Sequence, residues 1–296
     1  ARKAVEMAQA FRVSDLTGIQ VRPARLWTHS LSWILFVMGI ALYVHFSIVR
    51  HRENPEDRVI PSATQLVQGL KASVLEPAEE DDPLDSGASL FQQVRHSMIW
   101  KDTASSARRF FIALLLLVPA MLIGLHMAVF PYAGAFFLRF VLFFDKIVAL
   151  SLLPILFIVF GIDEWSKIML MVIGVAPTLM LDAYNIAGGV PREQVVKAFT
   201  LKSTNLDVAY RIVLKQVVPQ LINSVRLNLK PLALFLFAGE MIASTDGLAY
   251  RIAIMRRHMG MDIIIPYLLW VALLLFSLDA LLRITNRRLH PWYQPR

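Results

Sequence analysis

The sequence predicts an all-α, polytopic membrane protein with about six transmembrane helices, and three observations lead to this fold class. First, 56% of the 296 residues are hydrophobic and only 18% are charged, whereas about a quarter of the residues in a soluble domain are charged. Second, the apolar residues lie in runs close to the roughly 20 residues that a helix needs to cross a bilayer. Third, the net charge of +8 comes mainly from basic residues at the ends of these runs. That placement favours orientation in a membrane over binding of nucleic acid.

Six apolar runs are assigned to spans. Residues 31–49 and 110–130 are apolar almost throughout. The other four contain or adjoin charged residues: 147–162 (extending back through Asp145 and Lys146), 168–181, 227–242 and 263–278. Prolines inside three of the spans are expected to bend them: Pro119, Pro154 and Pro177.

Basic residues near both ends of the chain predict that both termini are cytoplasmic, which requires an even number of spans. The expected organisation is therefore a cytoplasmic segment 1–30, a first span 31–49, an extracytoplasmic loop 50–109, a core of five spans 110–283 and a cytoplasmic tail 284–296. Against the usual excess of cytoplasmic basic residues, Arg251, Arg256 and Arg257 would then lie outside.

The long loop has two parts with different patterns. Residues 61–75 have helical spacing and could lie along the membrane surface. Residues 76–85 ("EPAEEDDPLD") are acidic and contain proline, so a solvated linker is expected there rather than a cation site. The chain contains no cysteine, which excludes disulfides and thiolate metal sites. No cleavable signal peptide is expected, because a polar stretch of about 25 residues precedes the first apolar run.

A charged segment, residues 190–219, separates the fourth and fifth spans and is predicted to form a helical hairpin. Pro191 suits the first position of a short helix that runs to about Leu201. Thr204 and Asp207 fit a capping box that begins a second helix, which Pro219 would end or kink. The second helix has an apolar face and a charged face. The apolar face comprises Leu206, Ala209, Tyr210, Val213, Leu214 and Val217, and the charged face comprises Asp207, Arg211 and Lys215. From this spacing alone, the hairpin either rests on lipid headgroups or its own bundle, or docks into a groove on a soluble partner.

Three further segments carry a resemblance to a known family: "FGIDEWSK" (160–167), "GEMIASTDGLAYRI" (239–252) and "LDALLRITNRRLHPW" (278–292). Their order and spacing, with the hairpin between the first two, resemble the permease subunits of type I ATP-binding-cassette (ABC) importers. The most similar group transports taurine, alkanesulfonates, nitrate and bicarbonate. The similarity extends from about Pro61 to the C-terminal end. It implies a MetI-like permease fold in which the hairpin is the coupling element.

The resemblance also implies the partners. The chain has no G-x-x-x-x-G-K-[ST] phosphate loop, so ATP and Mg²⁺ would be bound by separate ATPase subunits, and this chain would carry no catalytic residue, metal or cofactor. A second permease subunit, identical or related, would complete a dimer, and a soluble binding protein would deliver a small organic or inorganic anion. Membrane lipid is the remaining expected partner, and the expected location is the bacterial inner membrane.

Coupling contacts are expected from nine hairpin residues: Lys197, Ala198, Phe199, Leu201, Lys202, Thr204, Leu206, Tyr210 and Val213. The hairpin departs from the family in several places. Lys197, Ala198 and Phe199 replace Glu-Ala-Ala, and Lys202 replaces a glycine that a turn with positive φ would favour. A family proline is Lys215 here, and "DKIVALS" (145–151) replaces a proline-rich segment. The coupling role is therefore expected of the hairpin as a unit.

Charged residues inside spans are candidates for a translocation path. Glu240 matches the family's glutamate in "AEM", and Met241 follows it in the motif; a hydrogen-bonded structural carboxylate is the alternative for Glu240. Lys230 either attracts an anion or extends its amine to the headgroups. Asp279 and Arg283, spaced i, i+4, are expected to pair.

The other polar residues in the spans are expected to be structural, as for Asp182 and the Asp145–Lys146 pair. His45 and His126 have no second histidine at i+3 or i+4, so a metal site is not supported. Two rival functions would leave other signatures in the sequence. An ion-gradient-driven transporter or channel would commonly show inverted repeats and more spans. A membrane-embedded enzyme would need a convergent acid–base or metal constellation, which the scattered charged residues do not offer.

Overall fold

The computed structural model describes residues 25–53, 59–75 and 97–293, and the regular elements in these ranges are helices. In chain order they are α1 (Arg25–Glu53), α2 (Ala63–Leu75), α3 (Met98–Val129), α4 (Pro131–Asp145), α5 (Leu153–Phe160), α6 (Glu164–Gly188), α7 (Arg192–Thr200), α8 (Asn205–Ala243), α9 (Leu248–Arg257) and α10 (Met261–Leu289). A 3₁₀ turn, Ala149–Leu152, precedes α5, and α8 contains a π-helical segment, Val208–Val213. The predicted all-α class is confirmed.

The chain forms two compact units, residues 1–63 and 64–296. In the first, the apolar side chains of α1 between Trp33 and Val49 are largely exposed. The Tyr43 hydroxyl donates to the carbonyl oxygen of Pro61 at 2.9 Å, and the Ser47 hydroxyl donates to the same oxygen at 3.3 Å. The chain after α1 therefore turns back along the last turns of that helix.

Among the described residues, five helices are long and apolar enough to cross a membrane: α1, α3, α6, α8 and α10. The α4 and α5 helices meet at an 84° bend and together could form a sixth span. The predicted third span, residues 147–162 extending back through Asp145 and Lys146, corresponds to this bent pair of helices. Its break has a local cause, because Lys146 caps the C-terminal end of α4 and Pro154 lies in the first turn of α5. Pro154 thus begins a helix, where its missing N–H has no cost, instead of bending one.

The core of the second unit is formed by α3, α6 and α8. Their buried apolar residues recur at spacings of three and four, which places them on one face of each helix: Phe110, Ala113 and Leu117; Ile168, Met171, Val175 and Leu179; Leu229, Leu232 and Leu236. Small residues bring the backbones together, and at Gly124 a Cβ would clash with the carbonyl oxygen of Met180. Such close approach stabilises helix pairs in a membrane, where lipid tails provide no hydrophobic driving force between helices.

Three helices are longer than the sequence predicts. The α3 helix begins at Met98, so residues 98–109, expected in the loop, are helical. The α10 helix continues to Leu289, and α8 runs without interruption from Asn205 through Pro219. The helix predicted over 61–75 is confirmed as α2. Its Gly69 lies directly against the backbone of Asp262. The acidic run 76–85 lies outside the described residues.

Candidate functional site

The hairpin begins with α7 and closes in a Schellman turn. The Ser203 N–H donates to the carbonyl oxygen of Ala198 at 3.2 Å, and the Lys202 N–H donates to that of Phe199 at 3.0 Å, the two bonds that define this motif. Lys202 has φ 59°. The turn therefore needs the left-handed conformation that glycine adopts freely, and here a lysine holds it.

The second half of the hairpin begins with the predicted capping box, which is confirmed. The Asp207 N–H donates to Thr204 Oγ1 at 3.2 Å, and the Thr204 N–H donates to Asp207 Oδ2 at 3.3 Å. The π-helical segment Val208–Val213 follows directly. Because a π-helix bonds residue i to i+5, this segment shifts the register of the faces that a regular α-helix would have.

One side of the hairpin packs against the spans α3 and α6. Ala198, Val208, Val213 and Val217 are buried in one apolar cluster with residues from α3 and α6: Leu125, Ala183 and Ala187. Two of the nine predicted coupling residues, Ala198 and Val213, therefore hold the hairpin to its own bundle. Neither presents a surface for an external contact.

The opposite side of the hairpin is exposed and apolar. Val196, Phe199, Leu201 and Leu206 expose between 46% and 79% of their surface. The predicted grouping of Leu206 with Val213 on one face is therefore wrong, and the π-helical register explains why Val208 takes the buried position. The other predicted residues Lys197, Lys202 and Thr204 are exposed as well.

A hydrogen bond ties the hairpin to the end of α3. The Tyr210 hydroxyl lies 2.9 Å from His126 Nε2, and His126 Nδ1 lies 2.6 Å from the carbonyl oxygen of Leu122. Since a carbonyl only accepts, Nδ1 carries a proton, and a neutral ring then accepts the tyrosine proton at Nε2. His126 also stacks on Phe130. The expectation of polar packing for His126 is confirmed.

The end of the bundle opposite the hairpin, called the distal end below, is formed by residues 98–109, 164–167 and 240–251. Arg109 lies at its centre and exposes only 2% of its side chain. Its Nε and Nη2 donate to Glu164, its Nη1 donates to Glu240 at 2.7 Å, and its Nη1 and Nη2 donate to Asp246. All five N–H donors of the guanidinium are thus used. Lys167 Nζ adds a bond to Glu164 at 2.8 Å.

Glu240 has no exposed surface. Its carboxylate accepts hydrogen bonds from Ser106 Oγ and Arg109 Nη1, both at 2.7 Å, and from the Ala249 N–H at 3.1 Å. Gly247 has φ 120°, and a Cβ there would lie 2.6 Å from the carboxyl carbon of Glu240. These contacts support the structural interpretation of Glu240. Its place in a translocation path stays a prediction.

A second buried carboxylate, Asp102, joins the same end. It accepts from the Gly247 N–H at 3.2 Å, from Arg251 Nε at 3.0 Å and from the Tyr267 hydroxyl at 3.1 Å. Together the two networks link α3, α6, α8, α9 and α10. Within the described ranges, no buried side-chain nitrogen or oxygen lacks a hydrogen-bond partner, as buried polar groups require.

The charges at the distal end shift the pKa values of two groups outside the spans, Asp246 and Arg251. Burial alone would raise the pKa of Asp246, but hydrogen bonds from Ser105 and Arg109 and the positive charge of Arg109 hold it below its ordinary value. Burial alone would lower the pKa of Arg251, but the hydrogen bond and charge of Asp102 raise it. Both groups are therefore charged at neutral pH.

The other predicted path residues lie apart from this network. Lys230 is exposed, and no ion pair in the described part of the chain involves it. Met241 is partly exposed next to Glu240. The expected Asp279–Arg283 pair is wrong, because Asp279 pairs with Arg226 of α8 at 2.9 Å. A partner on a neighbouring helix is favoured here because it links two spans.

The remaining polar residues in the spans have local roles, as expected. Asp182 accepts from Ser224 and Asn228, and Asp145 pairs with Lys146 at 2.9 Å and accepts from Thr178. Sequence reasoning missed the distal network around Arg109 and Asp102, because residues 98–109 are too polar for a span. The sequence signal that could have identified it is the set of charged residues that adjoin the apolar runs 110–130, 168–181 and 227–242. In the ranges that the structure describes, no group of three His, Asp or Glu could hold a metal.

The fold is similar to solved structures of the MetNI methionine ABC transporter in inward-facing conformations. One of these superposes with a TM-score of 0.51 at 17% identity and covers 67% of this chain and 95% of that chain. The two chains thus share a fold, and the predicted MetI-like fold class is confirmed.

Residues 98–291 match the family described as "Binding-protein-dependent transport system inner membrane component". The match begins at the first residue of α3 and covers more than half of the chain, so the chain belongs to this family. It is a multi-pass, non-catalytic permease subunit of an ABC importer. The family implies ATPase and substrate-binding partners.

Two curated relatives agree with the predicted transporter group. The chain is 26% identical to the taurine transport system permease protein TauC of Escherichia coli (strain K12) over 196 residues, which are 66% of this chain and 71% of the relative. It is 24% identical to the putative aliphatic sulfonates transport permease protein SsuC of the same organism over 143 residues, 48% of this chain and 54% of the relative. The resemblance inferred from the sequence motifs is confirmed.

Proposed function

We propose that this permease couples ATP hydrolysis on separate ATPase subunits to uptake of a small anion, and that the hairpin transmits the motion. The observation that carries this proposal is the division of the hairpin into two sides. Its buried side packs on α3 and α6, while Phe199, Leu201 and Leu206 expose apolar surface on a segment rich in charged residues. An apolar helical surface of this kind fits a groove on a soluble protein.

The remaining parts of the proposal are the orientation in the membrane, the translocation path and the substrate. The ATPases bind from the cytoplasm, so the hairpin and both termini lie on that side and the distal end faces outward. A second permease subunit completes the translocation path, with Lys230, Glu240 and Met241 as its candidate residues. Since the names of TauC and SsuC refer to taurine and aliphatic sulfonates, a sulfonate or a similar small anion is the proposed substrate class. A binding protein delivers it.

The test is recovery of an ABC ATPase with the detergent-solubilised chain from its native membrane, identified by mass spectrometry. The test variant, Leu201→Asp with Leu206→Asp, places two charges on the exposed face without touching the buried side. We expect it to lose the ATPase. The control Thr245→Asp adds a charge at an exposed position of the distal end, and it should retain the ATPase.

Recovery of the ATPase by wild type, test variant and control alike would overturn the assignment of the exposed hairpin face. If no ABC ATPase accompanies the wild-type chain, the coupling proposal fails. An ion-gradient-driven transporter would then become the leading explanation. Uptake of radiolabelled taurine into vesicles that contain the assembled complex tests the substrate class separately.

A further inference from the structure

The C-terminal end of α9 and the turn that follows it carry positive charge that the proposed transport function does not use. Arg256, Arg257 and His258 are consecutive and exposed, and they are called the cationic turn below. The apolar span α10 begins at Met261. Because the cationic turn directly precedes a span, it lies at the level of the lipid headgroups.

The arginines of the cationic turn differ from those inside the bundle. Arg109, Arg226 and Arg251 each pair with a carboxylate. Over the same described ranges, no carboxylate lies within ion-pair distance of Arg256 or Arg257. Their guanidinium groups therefore keep their donors for an external anion.

Hydrogen bonds hold the backbone of the cationic turn in one conformation. It forms a Schellman motif in which the Gly260 N–H donates to the carbonyl oxygen of Met255 at 2.9 Å, while Met259 holds φ 53°. His258 Nδ1 lies 3.1 Å from the carbonyl oxygen of Ile254 and donates to it, which leaves Nε2 for a ligand. Behind the turn, Gly69 of α2 lies against the backbone of Asp262. The charged side chains thus extend from a backbone that is held by hydrogen bonds and by packing against α2.

Two general roles of basic residues do not account for this cluster. Compensation of the α9 dipole favours a basic residue in the last helical turn, but it does not require three consecutive basic residues beside a membrane. Topology signals are basic residues on the cytoplasmic side, whereas this turn faces outward in the proposed orientation. A local anionic partner explains both the number of charges and their position.

We propose that the cationic turn binds the phosphate of an anionic phospholipid headgroup. Guanidinium groups donate two parallel hydrogen bonds to phosphate oxygens, and Met259, exposed beside them, offers an apolar contact for the acyl region. Free phosphate has the same chemistry, but the position at the start of α10 favours the lipid. The site requires no ATPase, and its outward position rests on the orientation given under the proposed function.

The experiment measures thermal unfolding of the purified chain in a neutral detergent, titrated with phosphatidylglycerol or phosphatidylcholine of identical acyl chains. Phosphatidylglycerol should stabilise the wild type more than phosphatidylcholine does. The variant Arg256→Gln with Arg257→Gln should bind phosphatidylglycerol about 30-fold more weakly. The control, Arg192→Gln with Lys197→Gln, removes two exposed charges from α7 and should keep the wild-type response. Unfolding in phosphatidylcholine checks that each variant is folded.

Three results would overturn the proposal. In the first, the double variant of the cationic turn keeps the wild-type preference for phosphatidylglycerol. In the second, the α7 control loses the preference equally, which would show that total charge decides it. In the third, inorganic phosphate at the same concentration reproduces the stabilisation, which would make the occupant a soluble anion.

Discussion

Replacing Arg109 by Gln removes a cation that contacts Glu164, Glu240 and Asp246 together. The magnitude of the effect follows from burial. Arg109 exposes 2% of its side chain and Glu240 exposes none, so the variant leaves a carboxylate inside the protein without its positive partner. Loss of one member of a buried ion pair costs about 3–5 kcal/mol. Because glutamine still offers an N–H donor, we expect the lower part of that range, about 3 kcal/mol.

The assay is reversible unfolding of the purified chain in mixed micelles with sodium dodecyl sulfate, followed by far-ultraviolet circular dichroism. The matched control is Arg211→Gln. Its pair with Asp207 is exposed at both side chains, 78% and 36%, and an exposed helix pair of this spacing contributes about 0.3–0.5 kcal/mol. The difference between the unfolding free energies of the two variants therefore reports the effect of burial, because both variants lose an arginine.

A double variant separates the interaction from general damage. With Glu240→Gln added, Arg109→Gln no longer leaves a buried charge at this site, so part of the lost stability should return. We expect a coupling energy of about 2 kcal/mol between the two positions, within the range seen for contacting residues. Equal destabilisation by Arg109→Gln and Arg211→Gln would refute the reasoning, because it would mean that Glu240 is neutral or hydrated.

Three further predictions concern single residues. Lys202→Gly should stabilise the chain by about 1 kcal/mol in the same unfolding assay, since glycine adopts the positive φ without strain. Met259→Gly should have the same effect for the same reason. A loss of stability in both variants would contradict the strain argument. Gly247→Ala should destabilise the chain by several kcal/mol, on the order of other strained or overpacked sites, while Gly188→Ala, whose Cβ meets nothing within 4 Å, should have little effect. Asp246 has a lowered pKa, so it binds a proton less readily in the folded chain. Its stabilising contribution is thus present above about pH 4 and lost as the pH falls further, and the stability of Asp246→Asn should depend less on pH in that window.

The sequence predicts local features of this protein well. Span lengths follow from apolar runs, and the capping box follows from Thr204 and Asp207, because both depend on residues close together in the chain. The family's glycine at the position of Lys202 predicts the positive φ found there. Each of these features is set by backbone geometry within a few residues.

Features that depend on distant residues were not predictable in the same way. Arg109 and Glu240 are 131 residues apart, and nothing in either local sequence identifies the other as its partner. The polar residues that begin α3 do not have the composition of a span, and the hydrogen-bond partners that allow them to be buried come from other helices. The π-helical register at Val208 likewise depends on packing against α3 and α6, so the predicted faces of α8 were only partly correct.

The distal ion network has a mechanical consequence for the opposite end of the molecule. Its hydrogen bonds and ion pairs link five helices at the distal end. At the opposite end, the hairpin is held to the bundle by apolar packing and by the Tyr210–His126 hydrogen bond. Roughly 25 Å of α3 separates Arg109 from His126. A tilt of the bundle by roughly 10° about the distal end would therefore carry the hairpin through about 4 Å, from the same rise per residue. If the bundle tilts about the distal network, small rotations near Arg109 therefore become displacements of ångström size at the hairpin.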